Sequence, residues 1–250
     1  MKQFGTEKIS IITVVYNSED LIEDTILSVL NQKYSNLEYI VVDGASTDKT
    51  VEIISKYLDR IDVFISEPDL GIYNAMNKAL SYVTGEWVNF MNAGDLFYNF
   101  ETINTIFGQS QVTNSGFSII YGNHILMYKD AEVLRIPRSL NLLWMGMTIQ
   151  HQSIFVNSKV FETEKFNENY RFAADFDLFY KCYKKNLKIN KANQAISKVT
   201  PGGFSESNSV KTYLEFMHIT LNYEKNILIK FYYCCLIPKI YLVSQLKRFL

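Results

Sequence analysis

The feature that most constrains the fold of this chain is a regular alternation of strand-like and helix-like segments near its start. Runs rich in β-branched residues, such as ISIITVV at 9–15, are typical of parallel strands buried on both faces. The strand-like runs are 9–15, 38–43, 62–67 and 86–91, and the segments with helical spacing between them are 18–32, 47–58 and 71–83. This βαβαβαβ order predicts an α/β fold, an open parallel sheet with helices on both faces.

Polar residues follow all four strand-like runs. The four ends read Tyr16-Asn17, Asp43, Glu67-Pro68-Asp69 and Asn92-Ala93-Gly94-Asp95. The carboxyl ends of parallel strands lie along one edge of a sheet, which is where α/β sheets bind ligands. Turn chemistry explains any one of these ends, but the four together predict a binding site at that edge.

Composition narrows the class of protein. Hydrophobic residues make up 48% of the 250 residues and charged residues 20%, which suits a large buried core. The net charge of −1 gives no general attraction to nucleic acid, and we expect no nucleic-acid partner. Cys182, Cys234 and Cys235 show neither metal-ligand spacing nor a convincing disulfide set, and MKQFGTEK does not resemble a signal peptide. We therefore expect a cytoplasmic protein.

Beyond Asp95 the pattern becomes less regular. Segment 117–130 predicts two antiparallel strands joined near Gly122-Asn123. Segment 150–156 predicts a further strand and 175–185 a helix, and 213–233 predicts one long helix.

The C-terminal tail differs from the rest of the chain in charge. From residue 225 onward the basic residues are not offset by any acid, and they are Lys225, Lys230, Lys239, Lys247 and Arg248. Lysines interrupt the apolar residues too often for a membrane-spanning helix, and we expect Pro238 to interrupt any single helix. We expect 226–250 to lie on an anionic membrane surface. The alternative is a helix packed on the domain or on a homodimer partner.

Four segments carry motifs in a recognisable order. They are SIITVVYN, VVDGASTDKT, SEPDLGIYNAMNKAL and GEWVNFMNAGD. Together they resemble glycosyltransferase family 2, which has the nucleotide-diphospho-sugar transferase fold called GT-A, and the resemblance is fullest over 9–95. It implies a mostly parallel central sheet flanked by helices, with a C-terminal helical tail. The implied parts are a nucleotide-sugar-binding half at 1–98, an acceptor and catalytic half of the same domain at 99–205, and the tail at 206–250.

The resemblance assigns a nucleoside site to the first two strands. It implies that Thr13, Val14 and Tyr16, together with Asp43, hold the base and ribose of a sugar nucleotide. A carboxylate at a strand end can accept from a base N–H or a ribose hydroxyl. The alternative is that Asp43 only caps the turn that follows it.

A second donor-contacting segment is implied after the third strand. Asp69 followed by Gly71 is similar to the family's donor loop, where glycine lets the backbone approach a ligand and a helix N-terminus favours a diphosphate. Asn77 and Lys78 on the following helix are implied donor contacts. Lys78 is equally well explained as a solvated surface charge.

The segment Asn92-Ala93-Gly94-Asp95 occupies the place of the family's Asp-x-Asp motif. That motif holds a divalent cation, Mn²⁺ or Mg²⁺, against the donor diphosphate. Because Asn92 replaces the first acid, Asp95 is the expected metal ligand and Asn92 a donor contact. One carboxylate can suffice, since Mg²⁺ takes its other ligands from phosphate and water. The alternative is that Asp95 caps a turn.

The segment RFAADFDLF resembles the family's catalytic Glu-Asp motif, with Ala174 in place of the Glu. Asp175 is then the expected general base, and direct attack would invert the anomeric centre. Asp175 could instead cap its helix, and Asp177 is a rival base.

Two further segments resemble the acceptor side of the site. His151 and Gln152 lie in the segment QHQSIFV, although a lone histidine is as often structural. Gly202-Gly203-Phe204-Ser205 resembles a loop that closes over the site, with Gly203 as its expected acceptor-side residue.

The resemblance implies an inverting hexosyltransferase in bacterial surface-polysaccharide assembly. The donor would be a nucleotide-diphospho-sugar, a UDP-sugar by preference, and the acceptor a lipid-linked or oligosaccharide hydroxyl at the inner face of the cell membrane. The chain lacks the Gln-x-x-Arg-Trp motif of processive synthases, which favours transfer of one sugar per encounter.

Other functions fit the residues less well. A nucleotide-sugar pyrophosphorylase would carry a Gly-rich basic loop after the first strand, and a dinucleotide oxidoreductase would carry Gly-x-Gly-x-x-Gly there. The chain has Tyr16-Asn17-Ser18 at that position. A catalytically silent GT-A-like protein that binds nucleotide sugar or a partner stays open, because Asn92 and Ala174 replace acids of the family.

Overall fold

The computed structural model describes residues 7–108, 116–203 and 207–246. Within them the predicted alternation of strands and helices is confirmed. Its elements are β1 (Ile9–Val15), α1 (Ile22–Leu30), β2 (Leu37–Asp43), α2 (Thr50–Ser55), β3 (Val63–Ser66), α3 (Ile72–Ala79) and β4 (Trp87–Phe90). Every residue of β1 is buried, as expected of a strand that helices cover on both faces.

The second half of the chain is more irregular. Its strands are β5 (Leu96–Phe97), β6 (Ile119–Tyr128), β7 (Ala131–Arg135), β8 (Ile154–Asn157) and β9 (Ile189–Val199). Its helices are α4 (Thr102–Phe107), α5 (Ala174–Lys184), α6 (Ser209–Tyr223) and α7 (Ile227–Leu246). Short 3₁₀ turns cover Leu58–Arg60, Leu80–Tyr82, Leu140–Met145, His151–Ser153 and Ser158–Glu162, so the predicted strand at 150–156 begins only at Ile154.

The strands that the structure describes form one sheet. Their order is β3-β2-β1-β4-β8-β6-β9-β5, and β7 pairs with β6. The pairs among β1 to β4 are parallel, whereas β8 is antiparallel to both β4 and β6. The sheet is therefore parallel in its first half and mixed beyond β4.

Helices cover both faces of the sheet, as predicted. Alternate residues of β1 point to opposite faces, so that Ile11 belongs to one apolar core and Ile12 to the other. The first core is closed by α1, α2 and α4, and the second by α3, α5, α6 and α7. This arrangement leaves the carboxyl ends of β1 to β4 at one edge between the two helix layers.

The predicted turn at Gly122-Asn123 is wrong, because β6 continues past these residues to Tyr128. The hairpin turns instead at Lys129-Asp130, between β6 and β7. A Cβ atom at Gly122 would lie 2.7 Å from the Ile196 side chain, and the register with β9 shifts on either side of Asn123. Gly122 therefore marks a bulge where two strands approach closely.

The predicted single helix at 213–233 is also wrong, because the chain breaks between α6 and α7. Glu224 has extended backbone, and its side chain accepts hydrogen bonds from Tyr180 and Lys184. Asn226 then starts α7 by accepting from the backbone N–H of Leu228. The expected interruption at Pro238 is wrong as well, since α7 continues through this exposed residue.

Candidate active site

The polar residues that follow the first strands lie at one edge of the sheet. Asp43 at the end of β2 pairs in register with Val15 on one side and Ser66 on the other. The loops after β3 and β4 leave the sheet at the same edge, since all four strands are parallel. The structure thus places the expected nucleoside and metal residues around a single end of the sheet.

Asp43 is fully buried at this edge and its carboxylate is already hydrogen-bonded. It accepts from the Ser46 backbone N–H at 3.0 Å, the Ser46 hydroxyl and the Ser66 hydroxyl at 2.7 Å. The turn contacts that were the alternative for Asp43 are therefore present. These hydrogen bonds hold the carboxylate rigidly. A contact between Asp43 and a ribose stays a prediction.

Gly44 lets Asp69 and Tyr16 close over the end of β2. A Cβ atom at Gly44 would lie 2.5 Å from Asp69 Oδ2 and 3.4 Å from Tyr16 Cδ2. The Tyr16 ring is 59% exposed, so its face is open to a ligand. Sequence reasoning did not single out Gly44, although its position directly after Asp43 was the available signal.

The loop after β3 is held in shape by its own contacts. Gly71 has φ of +119°, and its N–H donates to Asp69 Oδ1 at 2.7 Å. Lys78 donates to the Pro68 carbonyl at 2.7 Å and forms an ion pair with Glu67 at 2.9 Å. Lys78 therefore supports this loop from α3, and a contact between Lys78 and a donor stays a prediction.

Three side chains that were expected to contact the donor are engaged elsewhere. Thr13 donates to the Met91 carbonyl inside the core, and Val14 is buried in the opposite core. Asn77 bonds through its amide to the backbone of Phe166 at 2.9 Å and to Glu168 at 2.7 Å. These side chains hold the scaffold, because their positions in β1 and on the covered side of α3 face neighbouring elements.

The Asn92-to-Asp95 turn is fixed to the first helix. Gly94 has φ of +93°, and the Asp95 N–H donates to the Asn92 carbonyl at 3.0 Å. The Thr25 hydroxyl of α1 donates to the Asp95 carbonyl and accepts from the Gly94 N–H, both at 3.0 Å. This pinned turn holds the Asp95 side chain in a buried position beside the site.

Gln152, which contacts Asp95, and Asn92, in the same turn as Asp95, carry amide oxygens of the kind that a hard cation binds. Gln152 donates to Asp95 Oδ2, while Gln152 Oε1 and Asn92 Oδ1 are buried without a hydrogen-bond partner among the described residues. Burial raises the pKa of Asp95 to about 6, against the opposing effects of His151 and Gln152. Within the described ranges, no three His, Cys, Asp or Glu side chains form a metal cluster. The donor set therefore fits Mg²⁺ or Mn²⁺ held mainly by phosphate and water.

His151 connects the end of β4 to the start of α5. Its Nε2 lies 2.9 Å from Asn92 Nδ2, and its Nδ1 lies 3.5 Å from Asp175 Oδ2. Because the Asn92 amide nitrogen can only donate, Nε2 accepts and the ring proton is assigned to Nδ1, on the side of Asp175. The structure therefore brings together Asn92, His151 and Asp175, which sequence reasoning had assigned to different parts of the site.

Asp175 is positioned from two sides. Its Oδ1 accepts from the Tyr73 hydroxyl at 3.1 Å and from the Phe176 N–H at 2.9 Å, and its Oδ2 faces His151. The N-cap of α5 is Ala173, so Asp175 is not the capping residue of its helix. Its rival Asp177 is buried in an ion pair with Lys181 at 2.9 Å. Sequence reasoning missed Tyr73, for which no local pattern was available.

The expected closing loop is described only in part. Gly202 has φ of +94°, and Gly203 is exposed with room around its Cα. Phe204 and Ser205 lie outside the described residues. A role of Gly203 on the acceptor side stays a prediction.

Comparison with known sequences places this site in a family. The family described as glycosyl transferase family 2 matches residues 10–130. An uncharacterized glycosyltransferase of Haemophilus influenzae is 30% identical over 235 residues, which cover 87% of this chain and 89% of the relative. The putative teichuronic acid biosynthesis glycosyltransferase TuaG of Bacillus subtilis is 42% identical over 90 residues, 35% of this chain and 36% of TuaG.

Solved structures have the same fold. TarS of S. aureus, residues 1–349 in complex with UDP, has a TM-score of 0.67 at 21% identity over 85% of this chain. The match spans 64% of that TarS chain, less than two thirds of its length. Glucosyl-3-phosphoglycerate synthase of Mycobacterium tuberculosis, in complex with Mn²⁺, UDP and phosphoglyceric acid, has a TM-score of 0.62 at 16% identity, covering 86% of this chain and 79% of that chain. The chain therefore belongs to glycosyltransferase family 2 and has the GT-A fold.

Proposed function

We propose that this protein is an inverting glycosyltransferase that moves one sugar from a nucleotide-diphospho-sugar to an acceptor hydroxyl in cell-surface polysaccharide assembly. The observation that carries the proposal is the contact of His151 with both Asn92 and Asp175. This contact joins the expected diphosphate side of the site to the expected base. A UDP-sugar is the preferred donor, which the UDP complexes of TarS and of the mycobacterial synthase support.

In this proposal the nucleoside lies at the ends of β1 to β3. The exposed Tyr16 ring offers a stacking surface, and the Asp69 carboxylate beside Gly44 offers an acceptor for a base N–H or a ribose hydroxyl. Asp43 keeps this corner rigid through its bonds to Ser46 and Ser66. The diphosphate then points along the edge toward the Asn92-to-Asp95 turn.

Asp95 would hold a divalent cation there, assisted by the amide oxygens of Asn92 and Gln152. These two oxygens are buried without partners in the described structure, so a cation would give them one. When bound, the cation supplies positive charge that stabilises the leaving diphosphate. The Mn²⁺ in the structure of the mycobacterial synthase supports a divalent cation as part of the proposal.

Asp175 would act as the general base. Its carboxylate takes the proton of the acceptor hydroxyl while that oxygen attacks the anomeric carbon, and the carbon–oxygen bond to the diphosphate breaks on the opposite face. One direct displacement of this kind inverts the anomeric centre. The bonds from Tyr73 and Phe176 occupy Oδ1, so the proton goes to Oδ2, which lies 3.5 Å from His151 Nδ1 and accepts no closer hydrogen bond among the described residues.

The acceptor is proposed to enter on the side of His151, at the cytoplasmic face of the cell membrane. A lipid-linked or oligosaccharide hydroxyl is the class of acceptor we expect. The similarity to TuaG, whose name refers to teichuronic acid biosynthesis, supports a surface polysaccharide.

Nucleotide release by the purified full chain tests this function. UDP-glucose, UDP-galactose, UDP-N-acetylglucosamine and GDP-mannose are each incubated with protein and Mn²⁺, and released nucleotide is measured with wild type and Asp175→Asn. We expect the wild type to release nucleotide and Asp175→Asn to release almost none. If a donor protects the protein against thermal unfolding but no nucleotide is released and no sugar is transferred, the catalytically silent binding protein is favoured. If the donors give neither thermal protection nor nucleotide release, donor binding is overturned.

A further inference from the structure

One face of α7 is packed firmly against the domain. Ile229 and Tyr233 are buried in the core, and the Tyr233 hydroxyl donates to the Trp144 carbonyl at 2.7 Å. The Tyr232 ring meets the Trp144 ring edge-on at 5.2 Å between centroids. These contacts fix the direction of the helix, so its opposite face points outward.

The outward face of α7 is apolar from Ile227 to Leu242. With 3.6 residues per turn, seven exposed residues, counting Phe231 itself, lie within about 60° of the direction of Phe231. We name them the outer stripe, and they are Ile227, Leu228, Phe231, Cys234, Cys235, Pro238 and Leu242. Ile227, Phe231 and Leu242 are 73%, 68% and 63% exposed. The buried Ile229 and Tyr233 lie about 160° from Phe231, so the stripe is opposite the packed face.

Lysines border the outer stripe on both sides. Lys230 lies about 100° from Phe231 in one direction and Lys239 about 80° in the other, and both are exposed. The chain contains no acidic residue after Glu224. An apolar stripe with one lysine on either side is complementary to a surface of anionic headgroups over hydrocarbon.

We propose that the outer stripe lies in the interface of an anionic lipid bilayer, with Lys230 and Lys239 on the headgroups. A second copy of the chain is a poorer occupant. A two-fold contact along the stripe would place lysines beside lysines, and this helix offers no acid to pair with them. Among the helices in the described ranges, none is both long and apolar enough to cross a membrane.

This contact would also orient the active site, a consequence that rests on the proposed function. Trp144 belongs to the turn Leu140–Met145, and the chain runs from there to His151. The helix that touches the bilayer is therefore bonded to the segment that leads to the acceptor side. A sugar acceptor carried by a lipid would reach His151 and Asp175 without leaving the membrane surface.

Vesicle co-sedimentation of the full chain tests the membrane contact. Vesicles of phosphatidylglycerol with phosphatidylcholine are compared with phosphatidylcholine alone, for wild type and Phe231→Glu/Leu242→Glu. The control is Leu58→Glu/Tyr82→Glu, which makes the same change of charge at exposed apolar residues outside α7. We expect wild type and control to bind the anionic vesicles and the stripe variant to lose binding.

A second pair of variants keeps the test decisive where the first alters folding. Lys230→Gln/Lys239→Gln should weaken binding to anionic vesicles roughly thirtyfold, while Lys56→Gln/Lys129→Gln, at exposed lysines elsewhere, should weaken it much less. Equal binding by both lysine pairs overturns the proposal. A second outcome also overturns it: light scattering shows that the wild type is a dimer, and the stripe variant is a monomer that binds vesicles as well as the wild type. Neither measurement uses the transferase reaction, so failure here is distinct from failure of the proposed function.

Discussion

The hydroxyl of Tyr73 donates a hydrogen bond to Oδ1 of Asp175 at 3.1 Å, although the two residues are 102 positions apart. Burial and the neighbouring carboxylate raise the pKa of Tyr73 well above its usual range, so the hydroxyl keeps its proton. Tyr73 lies on the helix that begins after the donor loop at Gly71. The helix next to the expected donor therefore also positions the expected base.

Replacing Tyr73 by Phe should slow transfer about tenfold through kcat, with donor affinity nearly unchanged. The variant removes one hydrogen bond to a carboxylate, an interaction of about 1.5–3 kcal/mol, and frees the Asp175 side chain to rotate. Transfer rates at saturating donor and donor affinity by calorimetry give the two quantities. The matched control is Tyr39→Phe, which loses a buried bond to Thr13 away from the base. A rate loss of equal size in the control would mean that general destabilisation explains the effect.

Replacing Asp175 by Asn should reduce transfer by about 10²–10⁴-fold, because the amide cannot accept a proton. Its oxygen can still accept from Tyr73 and Phe176, so donor affinity and thermal stability should change little. Steady-state transfer rates, donor titration and thermal unfolding measure the three properties.

Asp177→Asn is the control for the base. It breaks the buried ion pair with Lys181, so it should lower the melting temperature while transfer largely survives. If Asp177→Asn abolishes transfer and Asp175→Asn does not, the base has been assigned to the wrong carboxylate.

Local sequence patterns predicted the strands and helices that are determined by residues close together in the sequence. The run at 9–15 and the polar residue at 43 identify β1, β2 and their common edge, because burial and strand ends leave marks in the nearby sequence. The bulge at Gly122 depends on Ile196, and the use of the Asn77 amide depends on Phe166. Contacts between residues far apart in the sequence produce no periodic pattern, so the bulge and the Asn77 contact could not be predicted from one sequence.

Removing divalent cations should lower transfer more than about 100-fold, because the charge of the leaving diphosphate is then unopposed. Chelation followed by addition of Mn²⁺ or Mg²⁺ should restore the rate. Asp95→Ala should show the low rate in every condition. Thermal protection by the donor gives a second readout, which should need metal in wild type and be weak in Asp95→Ala.

Asp175→Asn serves as the control for the metal experiment, since it should keep the metal-dependent protection by the donor. A wild-type rate that chelation leaves untouched would remove the cation from the proposal. Side chains of the protein would then have to stabilise the leaving group alone.

Replacing Gly44 by Ala should weaken donor binding roughly tenfold or more. The new methyl group would meet Asp69 Oδ2 at 2.5 Å and push the Asp69 carboxylate away from the end of β2. The contacts of Asp43 with Ser66 should remain, so the fold should stay intact. Calorimetric titration of UDP measures the loss. Unchanged UDP affinity in Gly44→Ala would remove Asp69 from the donor site.

The last prediction concerns His124, a buried histidine that lies outside the active site in β6. Burial, and then the positive charge of Arg135 beside it in β7, lower the pKa of His124 from 6.5 to about 4. The unfolded chain therefore binds a proton between pH 6.5 and 4 that the folded chain does not. The free energy of unfolding should be highest above pH 6.5 and fall as the pH drops toward 4, by at most about 3 kcal/mol from this group.

Urea unfolding at pH 7 and pH 5 measures this contribution. His124→Gln should be less stable than wild type at pH 7, because the packing of a buried ring is lost, but it should lose less stability between the two pH values. His218→Gln, at an exposed position on α6, is the comparison variant for the loss of a histidine ring. If the stability of wild type and His124→Gln falls equally from pH 7 to pH 5, His124 is not the group that resists protonation, and the carboxylates must account for the acid sensitivity.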